Sequence, residues 1–179
     1  MSKHMIFFKK QSDTHFYLYE KMAKFSRNRN FYKSCNFLDT IDGRFEMLLV
    51  HVILLVRKLN SEGKDDLAQL VVDLMFSTID LSFREEGVGD LSIPKKMKKV
   101  GKVFYGRIAS LDNILKMEDE NNRKDETVNY FIRNAFLSDE NYKTDAEKLS
   151  NYVNNFDKLL RNVEVEDILK IDEKDLVID

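Results

Sequence analysis

Two long stretches of the chain repeat apolar residues at the spacing of an α-helix. In the first, from Phe45 to Leu59, they recur at steps of three and four. A second apolar line, Met47, Val50 and Leu54, predicts that this helix packs against neighbours on two sides. The second stretch, at about residues 66–85, repeats the design with two apolar faces. The pattern therefore predicts two central apolar helices.

Narrow polar lines interrupt both predicted helices. The first carries Arg44 and Arg57, and the second carries Asp73, Asp80 and Arg84. Burying such charges unpaired would cost several kcal/mol per ion. We therefore expect one or both aspartates to pair with an arginine of the first helix. The spacing of Asp80 and Arg84 also suits an ion pair within one helix.

Further helices are predicted before and after this pair. One runs from about residue 13 or 14 to residue 32, and another begins at Ser92 and Pro94, a capping residue followed by a first-turn proline. A fifth includes residues 128–135, and a sixth begins at the capping-box pattern of Thr144 and Glu147. With one proline and six glycines in 179 residues, the sequence predicts an all-α fold, a single compact bundle of about six helices.

The two ends of the chain differ from its middle. Residues 1–12 hold a short apolar patch between lysines, for which we expect a flexible tip, with a weak membrane-surface anchor as the alternative. Residues 163–179 form an acidic tail with scattered apolar residues, either docked or disordered. Residues 13–162 are the predicted helical domain.

Glycines mark turns and one unusual helix. Gly63 and Gly87 are placed to end the two central helices, and Gly89 would allow a second unusual backbone angle. Gly101 and Gly106 fall inside the next helix, where each costs about 1 kcal/mol relative to alanine. They indicate close packing or a contact that needs bare backbone.

Lysines gather on one side of that same helix. Lys95, Lys98, Lys99 and Lys102 lie opposite its apolar face, with Lys96 on the flank. The helix dipole disfavours cations in the first turns, whereas free amides beside lysines suit an anion. The candidate anions are RNA phosphate, lipid headgroups or an acidic protein segment, and an ordinary solvated face is the alternative.

Composition narrows the function classes. The net charge of −2 gives no general attraction to nucleic acid. A single cysteine, Cys35, excludes a disulfide framework within the chain and favours a reducing compartment. With no base nearby in sequence, we expect that thiol to be a small buried residue. No apolar run reaches the roughly 20 residues that cross a bilayer.

Motifs for catalysis or cofactor binding are not found. There is no phosphate-loop pattern, and three histidines and one cysteine are too dispersed for a zinc set. The nearest candidate metal ligands are Glu46, His51, Asp73 and Asp80, but the Glu–His spacing differs from that of di-iron bundles. We therefore favour a structural ion-pair network and a core histidine, and expect a non-enzymatic protein without metal or cofactor.

Several sequence blocks together resemble one known family. The blocks are residues 39–46 (DTIDGRFE), 49–52 (LVHV), 73–76 (DLMF), 84–90 (REEGVGD), 95–98 (KKMK) and 104–107 (FYGR). In this order and spacing they are similar to the ubiquinol–cytochrome c chaperone family, over about residues 14–160. The resemblance implies an assembly factor for the respiratory cytochrome bc complex that binds newly made cytochrome b.

Partners and location follow from the same resemblance. It implies cytochrome b or another complex subunit as client, held in an apolar groove beside the central helices. The ribosome, an anionic membrane surface, a small helper protein or a second copy are further candidates. Because the chain is short and lacks an Arg- and Ser-rich transit extension, we expect the bacterial cytoplasm, peripheral to the inner membrane, with the mitochondrial matrix as the alternative.

The resemblance and the lysine pattern together select a set of partner-binding candidates. They are Arg44, Glu46, Arg84, Glu85, Gly87, Gly89, Asp90, Lys95, Lys96, Lys98, Lys99, Lys102, Tyr105, Gly106 and Arg107. Its polar members either lock the fold or line the site, and we favour locking for most of them. The rival function is an RNA- or membrane-surface-binding helical module that uses the lysine face of residues 95–102, with salt-dependent binding.

Overall fold

A computed structural model describes residues 13–176 and Ile178, so the predicted N-terminal tip lies outside the described residues. The helices are α1 (Thr14–Ser26), α2 (Arg29–Ser34), α3 (Ile41–Ser61), α4 (Asp65–Glu85), α5 (Ile93–Leu115), α6 (Glu120–Ala135) and α7 (Lys143–Asn162). Short 3-10 turns cover Glu140–Tyr142, Val165–Lys170 and Glu173–Asp175. The described part of the chain contains no strand, and the predicted all-α bundle is confirmed.

Helix α3 lies at the centre of the bundle. It packs against α1, α4, α5, α6 and α7, and residues 49–56 are buried without interruption. Thr40 caps its first turn, because its hydroxyl accepts a hydrogen bond from the amide of Gly43 at 3.1 Å. Helix α4 repeats the apolar pattern but fully buries only Ala68, Val71, Val72 and Met75. One side of α4 therefore stays at the surface.

The first predicted helix is two helices in the structure. Helix α1 ends at Ser26 and α2 begins at Arg29, because Asn28 turns the chain and its side chain accepts a hydrogen bond from the amide of Asn30 at 2.9 Å. This bend carries α2 back over the core, where Phe31 is fully buried. The prediction of one helix to residue 32 was wrong, because the cap of Asn28 interrupts it.

The expected Thr144–Glu147 capping box was also wrong. Helix α7 begins at Lys143, two residues before the start that a cap at Thr144 predicts, and follows directly on the 3-10 turn Glu140–Tyr142. Asp139 caps that turn instead, with its carboxylate accepting from the amide of Asn141 at 3.0 Å. The side-chain cap therefore lies at the start of the 3-10 turn, at Asp139, and not at the start of α7 as the sequence pattern predicted.

The segment after α7 is docked on the bundle. Val165, Ile168, Ile171 and Leu176 are all buried in the common core. The ammonium group of Lys21 donates to a backbone oxygen of this segment, that of Leu169, at 3.0 Å. Of the two possibilities left by the sequence, the described residues of the tail adopt the docked one.

The expected ion pairs between α3 and α4 do not form. Arg44 pairs with Asp39, and Arg57 pairs with Asp112 and Asp157. Both predicted aspartates are instead satisfied within α4, Asp73 by Gln69 and Asp80 by Arg84. The prediction fails because the polar line of α4 faces away from α3, so no buried charge needs an opposite partner there. The predicted pair within α4 is confirmed.

The closest backbone approach occurs at a glycine that the sequence did not single out. A Cβ added to Gly43 would overlap the backbone oxygen of Leu38 and lie 3.1 Å from the ring of Phe37. At Gly106 a Cβ would meet nothing within 4 Å, and at Gly101 only Phe76 at 4.0 Å. The close packing expected at this glycine pair is therefore found at Gly43 instead.

We predict opposite effects of alanine at two glycines. Gly43→Ala should destabilise the protein by about 2 kcal/mol, because the backbone of Leu38 has to move. Gly106→Ala should stabilise it by about 1 kcal/mol, because the helix gains propensity without a clash. Urea unfolding followed by circular dichroism measures both. Equal stability of the two variants would contradict the close approach at Gly43.

His51 is the core histidine that the sequence analysis favoured. Its Nδ1–H donates to the carbonyl oxygen of Met47 at 2.7 Å, and its Nε2 accepts from the hydroxyl of Tyr152 at 2.6 Å. The ring is fully buried against Phe31 and Phe156. Burial lowers the pKa of His51 to about 4. The imidazole is therefore neutral in the folded protein near neutral pH.

This burial predicts a loss of stability on acidification. The folded pKa lies below the unfolded one, so protons bind preferentially to the unfolded chain and stability falls as the pH drops below about 6.5. Between about pH 7 and about pH 5 the contribution of His51 should fall by about 2 kcal/mol. Urea unfolding at the two pH values, on the wild type and on the double variant His51→Leu/Tyr152→Phe, measures it.

The double variant serves as the control because it removes the titrating ring together with its hydroxyl partner. Between about pH 7 and about pH 5 the unfolding free energy of the double variant should fall by about 2 kcal/mol less than that of the wild type. Glu46 acts in the opposite direction, since its folded pKa is raised, but it does so equally in both proteins. An identical pH dependence in the two proteins would refute the assignment to His51.

Candidate partner-binding surface

A buried carboxylate fixes α5 against the centre of the bundle. Glu46 of α3 is 4% exposed, and its two oxygens accept from Nε of Arg107 on α5 at 2.9 and 3.0 Å. The hydroxyl of Tyr130 on α6 donates to Oε1 at 2.7 Å. We call these three residues the Glu46 cluster. It joins three helices through one carboxylate.

Electrostatics within the Glu46 cluster reflect its burial. Burial raises the pKa of Glu46, while the hydrogen bond from Tyr130 and the charge of Arg107 oppose that rise. Burial, and then the neighbouring carboxylate, raise the pKa of Tyr130 well above its usual value. The phenol therefore stays protonated and donates to Glu46. Glu46, one of the partner-binding candidates, is thus already hydrogen-bonded to Arg107 and Tyr130 within the protein.

The second half of α4 and the first half of α5 form a two-helix arm, residues 76–104. Of the residues of the arm, only Ile93, Val100 and Phe104 are buried. The two helices touch through the rings of Phe76 and Phe104, whose centroids are 5.5 Å apart, and through Lys96, 5.0 Å above the ring of Phe83. The arm therefore has little core of its own and exposes most of its side chains.

The turn of the arm has a defined geometry. Gly87 has a φ of 81°, and the amides of Gly87 and Val88 donate to the carbonyl oxygens of Arg84 and Phe83 at 3.0 Å each. This is the Schellman ending that a glycine allows after a helix. Gly89 has no positive φ, which corrects the expectation of a second unusual angle. Gly87 alone therefore supplies the left-handed turn of the described arm.

Arg84 connects the end of α4 to the turn. Its guanidinium donates to Asp80 at 2.7 Å and to Asp90 at 2.6 Å. Both bonds raise the pKa of Arg84, with the contact to Asp80 the larger cause. Exposed ion pairs contribute little stability, so their main effect is to orient the turn. Glu85, the other charged candidate of this region, is exposed.

The lysine face consists of Lys95, Lys96, Lys98, Lys99 and Lys102. All five side chains are exposed, and none has a carboxylate partner among the described residues. Tyr105, 61% exposed, and Gly106 continue the exposed surface toward the middle of α5. The structure therefore places seven of the candidates along the exposed side of α5, with Lys96 at its edge over the ring of Phe83.

An uncovered apolar strip follows the surface side of α4. The leucine strip consists of Leu67, Leu70, Leu74 and Leu81, spaced at three, four and seven residues. Leu70 is 47% exposed and Leu81 is 54% exposed, while the other two are partly buried. Isolated exposed leucines are ordinary, but a helical strip of them provides a surface for another apolar chain. The strip is thus one exposed apolar surface among the described residues.

The four residues considered as metal ligands are not brought together. Glu46 is held by Arg107, His51 uses both ring nitrogens, and Asp73 and Asp80 bind partners within α4. The described residues contain no group of three or more acidic, histidine or cysteine side chains able to hold a metal ion. Cys35 is buried, which raises the pKa of its thiol to about 11 and makes a nucleophilic role unfavourable.

The sequence of this chain matches the profile of a known protein family. The sequence profile described as Ubiquinol-cytochrome C chaperone matches residues 33–173. The chain belongs to this chaperone family. The match includes α3, α4, α5 and the Glu46 cluster, and it confirms the resemblance seen in the sequence blocks. No match is found among curated proteins.

A solved structure agrees with the family assignment. The fold of this chaperone-family member is similar to the crystal structure of the Cbp3 homolog from Brucella abortus, with a TM-score of 0.78 and 28% sequence identity. The similarity covers 97% of this chain and 99% of that chain. Because only about 3% of this chain is left out, the similarity extends beyond the profile match to α1. Within the described residues, no helix is long and apolar enough to span a membrane.

Several parts of this chaperone-family member's surface depend on contacts between distant segments of the chain. Glu46 inside an apolar helix signals that neighbours must supply hydrogen-bond donors, but not which neighbours. Arg107 is indicated by the family block that contains it, whereas Tyr130 lies outside the blocks and nothing in its sequence surroundings indicates the contact. Three members of the leucine strip, Leu67, Leu70 and Leu74, belong to one predicted apolar face of α4, but Leu81 was not assigned to it, and the exposure of the strip depends on how α4 packs.

Breaking the Glu46 cluster should be costly. In Arg107→Met the carboxylate of Glu46 stays buried without its cation, and we expect the free energy of unfolding to fall by about 3 kcal/mol. Tyr130→Phe removes only one hydrogen bond to a charged group and should cost about 1.5 kcal/mol.

Thermal and urea unfolding of the two variants test this order. Replacing Arg84 by Met serves as the control, because its ion pairs are exposed and should contribute less than about 1 kcal/mol. A stability loss for Arg107→Met no larger than that of the control would show that the Glu46 cluster does not hold α5.

Proposed function

We propose that this protein is a non-enzymatic assembly factor of the respiratory cytochrome bc complex, which binds newly made cytochrome b. The observation that carries the proposal is the family match over residues 33–173. The similarity to the Cbp3 homolog, which covers nearly the whole of both chains, supports it. Cytochrome b as the client is the inference that the family description suggests.

The leucine strip is the proposed client surface. A membrane-protein segment outside the bilayer exposes apolar side chains, whose contact with water is unfavourable. The strip offers apolar area at helical spacing, so an amphipathic or fully apolar client helix can lie along α4. The buried residues on the opposite side of α4, from Ala68 to Met75, fix this helix to α3. The strip is therefore a fixed surface on the bundle.

The arm extends this surface beyond the bundle. Its turn, oriented by Arg84 and Gly87, holds the end of α4 beside the start of α5. Tip residues such as Glu85 and Asp90 are exposed and can contact polar loops that flank an apolar client segment. The candidates at the tip thus act by shaping and bordering the leucine strip.

We further propose the cytoplasmic side of the bacterial inner membrane as the place of action, because the proposed client is inserted there. The mitochondrial matrix is the corresponding alternative. The ribosome, a small helper protein and a second copy of the chain stay predictions of the sequence.

Loss of the protein should reduce the cytochrome bc complex. In a strain that lacks the gene, spectra of membranes should show reduced b- and c-type haem of this complex, and the wild-type gene should restore them. Tagged wild-type protein should copurify with cytochrome b. Leu81→Asp should lower the recovered cytochrome b about tenfold, because it places a charge in the leucine strip.

The matched control is Leu137→Asp. Leu137 is 81% exposed, lies outside the strip, and has a φ of 53°, a left-handed conformation that aspartate tolerates better than leucine. It should therefore recover cytochrome b as the wild type does. Normal complex levels without the gene would remove the proposed function, and equal losses in the two variants would remove the leucine strip as the client surface.

A further inference from the structure

We propose that the lysine face of α5, together with Leu91 at the tip of the arm, docks on an anionic phospholipid membrane. This extends the proposed function, since a chaperone of a membrane-inserted client works at a bilayer. The contact itself is independent of the client and can be measured with the purified chain.

Charge complementarity is the first argument. From residue 93 to residue 111 there are six cationic residues and no acidic one, although the whole chain carries a net charge of −2. The five ammonium groups of the lysine face have no carboxylate partner in the described structure, whereas Lys64 and Lys116 elsewhere are paired. Folding alone does not favour this arrangement, because cations in the first turns oppose the helix dipole. An external anionic surface would stabilise it.

The exposed apolar groups at both ends of the lysine face provide the second argument. Leu91, 99% exposed, lies one turn before Lys95, and Tyr105 follows Lys102 on the same exposed side. Lysines that reach phosphates, a leucine that enters the acyl boundary and a tyrosine at headgroup level are the components of an interfacial helix. From Lys95 to Tyr105 the surface is about 15 Å long, which suits a flat partner.

The positions of the acidic residues on the arm indicate which of its two helices faces the membrane. Glu85 and Glu86 lie at the end of α4, on the other helix of the arm, and Asp90 is bound to Arg84. Apart from Asp90 at the tip, the acidic groups of the described arm lie on α4 or directly after it, whereas α5 carries only cations along this length. The arm therefore approaches the membrane with α5, which leaves the leucine strip of α4 for the client.

The residue types favour lipid over nucleic acid. The lysine face has five lysines and no arginine, so it presents point charges rather than the planar forks that grip phosphates in pairs. Tyr105 could stack on a nucleobase, but Leu91, the most exposed apolar group, offers none a surface to stack on, whereas both side chains suit a bilayer surface. RNA binding is accordingly the competing outcome of the experiment.

The first test is cosedimentation of the purified full chain with vesicles. Vesicles of phosphatidylcholine and phosphatidylglycerol should bind the protein, vesicles of phosphatidylcholine alone should not, and added NaCl should weaken binding. The triple variant Lys95→Gln/Lys98→Gln/Lys102→Gln should bind on the order of 100-fold less, because each lysine near an anionic surface contributes roughly a factor of five.

The matched control has the same net charge. Lys124→Gln/Lys143→Gln/Lys158→Gln removes three exposed lysines from α6 and α7, and it should bind vesicles like the wild type. Equal losses in the two triple variants would assign binding to net charge and overturn the proposal. Absence of binding by the wild type, or a lysine-face triple variant that loses only RNA binding, would overturn it too.

Insertion of the arm tip can be followed by fluorescence, because the chain contains no tryptophan. In Leu91→Trp the emission should shift to shorter wavelength on anionic vesicles, and in Leu137→Trp it should not. No shift at Leu91 would refute insertion of the tip. Copurification of cytochrome b in detergent distinguishes client binding from membrane docking. The lysine-face triple variant should still copurify with cytochrome b although it no longer binds vesicles.

Discussion

The carboxylate of Glu46, almost completely removed from water, determines how α5 lies against the bundle. Arg107 supplies its opposite charge and Tyr130 a further hydrogen bond, so α3, α5 and α6 meet at one point. A buried ion pair adds little net stability, but any arrangement that separates Glu46 from these donors leaves a buried charge unpaired. The cluster thereby selects one position of α5 among the many that apolar packing would allow.

That position creates the arm. Arg107 is held at Glu46, and the preceding part of α5, mostly exposed, contacts the end of α4 through Phe76 and Phe104. Both helices of the arm keep an exposed side. The leucine strip lies on α4 and the lysine face on α5, so one anchored element presents an apolar surface and a cationic surface next to each other. This division suits a protein that holds an apolar chain close to a bilayer.

Two of the family blocks lie at the turn and at the base of the arm. The REEGVGD block builds the turn through Gly87 and Arg84, and the FYGR block contains both Tyr105 at the surface and Arg107 in the Glu46 cluster. Adjacent residues of one motif thus serve opposite purposes, because successive side chains of a helix point in different directions. The family blocks therefore combine residues that fix the architecture with residues exposed on its surface.

The sequence by itself determined the all-α class, the central place of α3, the pair of Asp80 and Arg84, the glycine ending at Gly87 and the core role of His51. These depend on spacing along one helix or on the burial of an uninterrupted apolar run, which are local properties. The tertiary structure alone decided the partners of Glu46, the outward direction of Asp73, the tight contact at Gly43 and the exposure of the leucine strip. The reason is that helical periodicity states which side chains share a face, whereas the neighbour that covers this face is set by packing between segments far apart in the chain.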